Sequence, residues 1–160
     1  MEIIPTLRAE QPNDESFVYQ LFAQTRLADI APLPWDQSQI EAFLHQQFAL
    51  QIAHYKANYP TAAYSIIQLD NQSIGRLYVN RANHEIKLID ITLAAAYRNR
   101  GIGRSLLQAL LKEAKSTAHI VVLHVERSNP ALRLYQNLGF LETQDQGIYL
   151  EMEWRSPINS

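Results

Sequence analysis

No cysteine occurs anywhere in the chain, and that absence removes disulfides, thiolate metal sites and cysteine nucleophiles at once. It fits a reducing compartment. An excess of one charge is lacking too. The 14 basic and 16 acidic side chains leave a formal net charge of -2, which gives the chain as a whole no electrostatic case for nucleic acid or an anionic membrane. No apolar run approaches the roughly 18 residues that a membrane span needs, and the opening residues lack the charged-then-apolar pattern of a leader. The expectation is a cytoplasmic protein that works without nucleic acid or membrane. Glycine is scarce, at 5 residues, so two glycines one residue apart carry information.

What is present is apolar: 47% of 160 residues, ample for a core. A single domain over residues 1–160 is expected, with 155–160 as a polar tail. Ile3 to Ala9 reads as a first strand, closed by Gln11-Pro12-Asn13-Asp14, where Asn13 or Asp14 caps a helix carrying Phe17, Val18, Leu21 and Phe22. Two prolines around Leu33 break that helix, and Asp36 or Ser38 caps a second one with Ile40, Phe43, Leu44, Phe48, Ile52 and Tyr55 on one face, ending before Tyr59-Pro60. The period then shortens. Tyr64 to Leu69, Ile74 to Val79, Lys87 to Leu93 and His119 to Val125 read as strands separated by turn residues. A short helix from Asn129-Pro130, ended by Gly139-Phe140, and a last strand from Ile148 to Trp154 complete the pattern. No repeat or linker divides it.

The two close glycines stand in Arg98-Asn99-Arg100-Gly101-Ile102-Gly103, after the strand ending at Leu93 and before a helix with Leu106, Leu107, Leu110, Leu111 and Ala114 at helical spacing. Missing Cβ atoms let a ligand come close to the backbone, and the first amides of a helix favour an anion. Two nucleotide readings fail. The dinucleotide fingerprint needs a third glycine where Leu106 stands, and the P-loop needs a Gly-Lys-Ser/Thr that is not there.

What does fit, R-x-x-G-x-G before a leucine-rich helix, resembles the acetyl-CoA signature of the GNAT superfamily of acyl-CoA-dependent N-acetyltransferases. A second segment, Asn129-Pro130-Ala131-Leu132-Arg133-Leu134-Tyr135-Gln136-Asn137-Leu138-Gly139-Phe140, is similar to that family's N-x-A-x-x-L-Y-x-x-x-G-F. The resemblance implies a mixed α+β (α/β) fold whose central, mostly antiparallel sheet of about six to seven strands is splayed and carries helices on both faces. It implies acetyl-CoA as co-substrate, with no metal. Backbone groups at Ile91, Thr92 and Leu93 would meet the acetyl and pantetheine arms. Arg98, Asn99, Arg100, Gly101, Ile102, Gly103 and Arg104 would wrap the pyrophosphate, while Asn129 and Ala131 would reach the pantetheine from the other side. Tyr135 would be the general acid that protonates the leaving thiolate, its alternative being an aromatic that only covers the cofactor.

The residues name no single general base. Asp90, an acid in an apolar strand, is one candidate, and a buried carboxylate satisfied by its neighbours is the other reading. Glu85, Glu41 and His45 are weaker candidates, and His124 reads as a core histidine. Trp35, Tyr64 and Tyr78 are candidates to line an amine pocket, though Trp35 serves equally as a packing plug. The acceptor expected is a small-molecule amine. A protein N-terminus or lysine stays open, as does a non-catalytic acyl-CoA sensor. A homodimer is a possibility if Ile148 to Trp154 is an exposed edge, with Glu151 and Glu153 as the charged protection of that edge in a monomer.

Overall fold

The computed structural model describes residues 4–157. Ile3 of the expected first strand and residues 158–160 of the expected tail lie outside the described residues. The element order is β1 (Thr6–Ala9), α1 (Glu15–Ile30), α2 (Gln37–Asn58), β2 (Ala63–Leu69), β3 (Gln72–Ala82), β4 (Glu85–Leu93), α3 (Ile102–Thr117), β5 (Ile120–Glu126), α4 (Leu132–Asn137), β6 (Leu141–Gln146) and β7 (Tyr149–Trp154). The strands run β1-β2-β3-β4-β5-β7-β6 across the sheet. The chain divides into two compact units. One takes in the chain up to Leu77 together with Thr92–Arg98, and the other Tyr78–Ile91 and the chain from Asn99 on.

In the first unit β1 lies antiparallel on β2, from Thr6 opposite Gln68 to Ala9 opposite Ser65. The core forms where α1 and α2 present Val18, Phe22, Ala23, Ile30, Leu44 and Phe48 to Ile66. Val18 and Phe22, and Leu44 and Phe48, stand four residues apart and Ala23 and Ile30 seven, which is the spacing of one helix face. Asp36 starts α2 as expected: it accepts from Gln39 N–H at 2.8 Å while the Gln39 side chain accepts from Asp36 N–H at 2.9 Å, a reciprocal cap. Asp14 does not cap forward. It is buried and its two oxygens accept from Arg8 at 2.8 Å each and from Gln11 N–H at 2.7 Å, so it ties β1 to the turn before α1. Trp35 packs on Phe43, with ring centroids 5.1 Å apart. The Tyr64 hydroxyl donates to the carbonyls of Tyr55 and Tyr59 at 3.1 and 2.8 Å, closing the end of α2. Both aromatics thus have structural employment.

The turn between β2 and β3 is Asp70-Asn71, and that between β3 and β4 is Asn83-His84. All four residues have positive φ, the backbone twist that two-residue hairpin turns require. Near the start of β3, Gly75 allows a close approach, since a Cβ there would stand 2.4 Å from the Thr92 carbonyl oxygen.

In the second unit β4 pairs parallel with β5 from Glu85 opposite Ile120 to Leu88 opposite Leu123. There the pairing stops. β5 runs on through His124, Val125 and Glu126, each paired with β7, while β4 continues to Leu93. Three expectations need correction here. The segment Leu141–Gln146 is a strand, unread in the sequence because every one of its residues is exposed and it shows no apolar alternation. It pairs with β7, so the last strand lies between β5 and β6 and is not an edge. His124 is not a core histidine: Val121, Leu123 and Val125 are buried, and alternation turns His124 to the other face, where its side chain is 39% exposed.

Two outcomes follow from this architecture. Gly75→Ala forces backbone apart at Thr92 and should cost about 1–3 kcal/mol, read as a lower urea midpoint at unchanged slope. The Arg8 guanidinium, against the opposing effect of burial and with the Gln11 amide in support, holds the Asp14 carboxyl below its ordinary range. A carboxyl lowered in the folded state stabilises above the unfolded value and loses that contribution as pH falls through the folded one. In Asp14→Asn, the drop in melting temperature between pH 7 and pH values under about 4 should therefore be smaller than in the parent chain.

Candidate functional site

The second unit holds the loop from Asn99 on, β4 as far as Ile91, and the short helix that the sequence singled out. Arg98 ends the first unit: its Nε donates to the Leu93 carbonyl at 3.0 Å, so its guanidinium braces the end of β4. Asn99 follows with φ +60 and Gly101 with φ +83, two left-handed residues in three. Only one is glycine, and at Gly101 no atom stands within 4 Å of where a Cβ would be. The position opens onto space.

Gly101 is the N-cap of α3 and no side chain caps that end. The first ladder bond is Ser105 N–H to the Gly101 carbonyl at 3.0 Å. The N–H groups of Ile102, Gly103 and Arg104 precede the ladder and have no intrahelical acceptor. The helix is held in place from its other side, because Ile102, Leu106, Leu107, Leu110, Leu111 and Ala114 are buried. Arg100 and Arg104 are exposed. An open glycine position, three amide donors and two cations form an arrangement with the chemistry to hold an anion.

Beyond Leu88, Ile89, Asp90 and Ile91 are partly buried and carry β4 past its last partner on β5. At the start of α4, Asn129 Oδ1 accepts from Ala131 N–H at 2.8 Å, and Leu132 N–H donates to the Asn129 carbonyl at 3.0 Å. The Asn129 carboxamide oxygen thus builds the turn. Tyr135 is buried, with its ring edge-on to Phe140 at 5.7 Å. Burial first and the charge of Asp90 second push its phenol up to about 12. Tyr135 and Asp90 are therefore within electrostatic reach of each other, whereas Thr92 and Leu93 lie in the first unit with Arg98. Gly75, which lets Thr92 approach, was missed in the sequence. Its signal was a lone glycine inside a strand pattern.

Among the described residues no helix is long and apolar enough to cross a membrane, and no cluster of three or more His, Asp or Glu is placed to hold a metal.

Comparison with known proteins agrees with this geometry. The profile of the acetyltransferase (GNAT) family matches residues 24–140. An N-alpha-acetyltransferase of Sulfurisphaera tokodaii is 43% identical over 60 residues, a match spanning 36% of this chain and 36% of that relative's length. The crystal structure of the PaiA N-acetyltransferase of Thermoplasma acidophilum in complex with coenzyme A superposes with a TM-score of 0.71 at 18% identity, covering 96% of this chain and 100% of that one. A spermidine N-acetyltransferase chimera from Vibrio cholerae gives 0.63 at 21% identity, covering 94% and 95%. At these structural identities the likeness is one of fold.

Gly101→Ala tests the anion-binding arrangement. Strain at positive φ should cost about 1–2 kcal/mol in a melt. A methyl in the open space should weaken coenzyme A binding about tenfold or more, as about 1.4 kcal/mol of lost contact does, read by calorimetry.

Proposed function

Since the chain belongs to the acetyltransferase (GNAT) family, we propose that it moves an acetyl group from acetyl-CoA directly to a primary amine, in a ternary complex without a covalent enzyme intermediate. The observation that carries this is the open left-handed Gly101 at the bare N-terminus of α3, in the same unit as the buried Tyr135. Acetyl-CoA supplies the acyl group as a thioester already activated toward nitrogen. The amides of Ile102, Gly103 and Arg104, with Arg98, Asn99 and Arg100 before them, would hold the pyrophosphate. Ile91, Thr92 and Leu93 would offer backbone to the acetyl and pantetheine arms, with Asn129 and Ala131 opposite. A chain without cysteine has no thiol to carry the acetyl group in two steps.

Tyr135 acts as the acid. Its phenol keeps its proton throughout the neutral range, because burial penalises the phenolate. The same burial penalises a thiolate formed beside it, so the proton moves between two groups whose affinities have both risen. Asp90 acts on Tyr135 through its charge. Phenylalanine at 135 keeps the ring and removes only the proton.

The acceptor proposed is a small amine. In the first unit Tyr19 stacks on His45 at 4.0 Å, Trp35 packs on Phe43, and the charge of Glu41 reaches Tyr19, giving α1 and α2 an aromatic and acidic face suited to a small cation. A second reading, a protein α-amine, is favoured by the 43% identical N-alpha-acetyltransferase segment.

Thiol release from acetyl-CoA, measured against polyamines, amino sugars and peptides with free N-termini, decides between them. Small amines should turn over at the higher kcat/KM, peptides should do so under the second reading, and release with neither would leave an acyl-CoA binder. Tyr135→Phe should lower kcat/KM about 100-fold or more with coenzyme A affinity unchanged. Equal turnover in the variant would assign Tyr135 a covering role.

A further inference from the structure

Lys87 of β4, His124 of β5 and Glu151 of β7 form one chain of side chains across the sheet of the second unit. Lys87 lies opposite Val122, and His124, two residues further along the same face of β5, lies opposite Glu151. Lys87 Nζ is in hydrogen-bond contact with His124 Nδ1. His124 Nε2 is 3.5 Å from Glu151 Oε2, and the Thr143 hydroxyl of β6 donates to the other Glu151 oxygen at 2.7 Å. A charged Lys87 donates to the Nδ1 lone pair, which puts the ring proton on Nε2, toward the Glu151 carboxylate. Donation then runs one way, from the lysine through a neutral imidazole to the acid.

The chain crosses the sheet where its backbone pairing fails. Lys87 stands one residue before Leu88, the last β4 residue paired with β5, and His124 one residue after Leu123, the last β5 residue paired with β4. The Lys87–His124 contact therefore carries the link between the two strands just past the end of their ladder. Beyond it β4 runs on to Ile91, and β5 leads through Glu126 to the turn at Asn129, the two sides from which the pantetheine arm would be held. A side-chain bond at the point of parting governs how far those two sides can move from each other.

We infer that Lys87 and His124 are a proton-sensitive clasp on the opening between β4 and β5: it holds both sides of the coenzyme A site at binding distance while a lone pair remains between the two nitrogens, and releases them when both are protonated. This rests on the reading of that opening as the coenzyme A site. Proton count alone decides the state of the clasp. While the pair holds one proton fewer than it can, one nitrogen donates and the other accepts, so the bond forms whichever of them has the charge. With both filled, an ammonium and an imidazolium face each other at partial burial and nothing between them accepts. Both are positioning residues, which act on the ligand through the strands that carry them.

The surroundings keep the last proton off at neutral pH. Burial first, and then the charge of Lys87, hold the His124 imidazolium below the ordinary histidine range, against the opposing pull of Glu151 and Glu85. Burial likewise lowers Lys87, again against Glu85 and Glu151. The nearby acids of the same face have other partners: Glu126 of β5 accepts from the Tyr149 hydroxyl at 3.4 Å, and Glu153 of β7 pairs with Arg155 at 3.1 Å. The clasp is therefore closed at pH 7 and opens on the acid side. A ligand that binds the closed form better must, by reciprocity, make the last proton harder to add.

The test combines calorimetry of coenzyme A binding with nuclear magnetic resonance. In the parent chain affinity should fall about fivefold or more as the pH drops through the value at which the His124 imidazole titrates, and bound coenzyme A should move that titration downward. In His124→Gln the side-chain oxygen can accept from Lys87 and the amide nitrogen can donate to Glu151, yet nothing titrates. That variant should lack the fall, so the difference between the two curves isolates the clasp from the titration of the ligand's own phosphates. Lys87→Met, which has no donor, should bind about fivefold more weakly already at pH 7, and Glu153→Gln should behave as the parent. A His124→Gln protein whose affinity follows the parent's pH curve would overturn the inference, as would a folded Lys87→Met protein that binds as tightly as the parent. A His124 titration that coenzyme A leaves in place would overturn it too, and that measurement needs no variant to fold. A parent chain that binds no coenzyme A at any pH removes the site and the clasp together, whereas pH-dependent binding without acetylation of any amine removes the transferase reading and leaves the clasp standing.

Discussion

The site depends on one constraint: β4 outlasts its partner. The parallel pairing of β4 with β5 ends at Leu88 opposite Leu123, because β5 is drawn on by six residues of antiparallel pairing with β7. A strand that loses its neighbour on one side presents backbone there, and backbone polar groups at partial burial require partners. A ligand with amides and a carbonyl along its length can supply them. The parting also fixes where side chains can act, since everything on β5 beyond Leu123 faces an opening that β4 no longer closes.

Burial tunes two groups of this unit in opposite directions by one mechanism. It disfavours whichever form carries charge, so the Tyr135 phenol is raised and the His124 imidazolium lowered. Both shifts leave a neutral group at physiological pH, and neutrality means opposite things for the two. A neutral phenol still has a proton to give, while a neutral imidazole accepts at one nitrogen and donates at the other, here facing Lys87 and Glu151. Burial, the first cause of both shifts, arranges that difference.

The loop and the helix after it were legible in the sequence because their physics is local. Gly101 and Gly103 stand at a junction of periods, and the run from Leu106 to Ala114 shows its face plainly. The hairpin turns were legible for the same reason, asparagine and aspartate being tolerant of positive φ. Asp14 was misread because its sequence position suits a cap, whereas its carboxyl is claimed by Arg8, a partner on another element. β6 was invisible: Leu-Glu-Thr-Gln-Asp-Gln has no buried residue, and only the backbone of β7 makes it a strand. With β6 in place, the expected edge at β7 disappears.

His124 shows most clearly what one sequence withholds. In Ile-Val-Val-Leu-His-Val-Glu the aliphatic neighbours suggest a strand buried on both faces, in which a histidine can only be a satisfied core residue. Burial on both faces is the rule for parallel strands with helices on either side, and β5 is parallel only to β4, over four residues. Past Leu123 its remaining pairing is antiparallel, to β7, and there alternation returns: Leu123 and Val125 turn inward, His124 outward. The register that sets His124 opposite Glu151, and brings Lys87 to its Nδ1, is a relation among three strands far apart in the chain. No local pattern encodes it. The cluster around His124 was therefore hidden where Tyr135 was plain, because Tyr135 lies inside a recognisable contiguous segment and His124 acquires its partners only through the sheet.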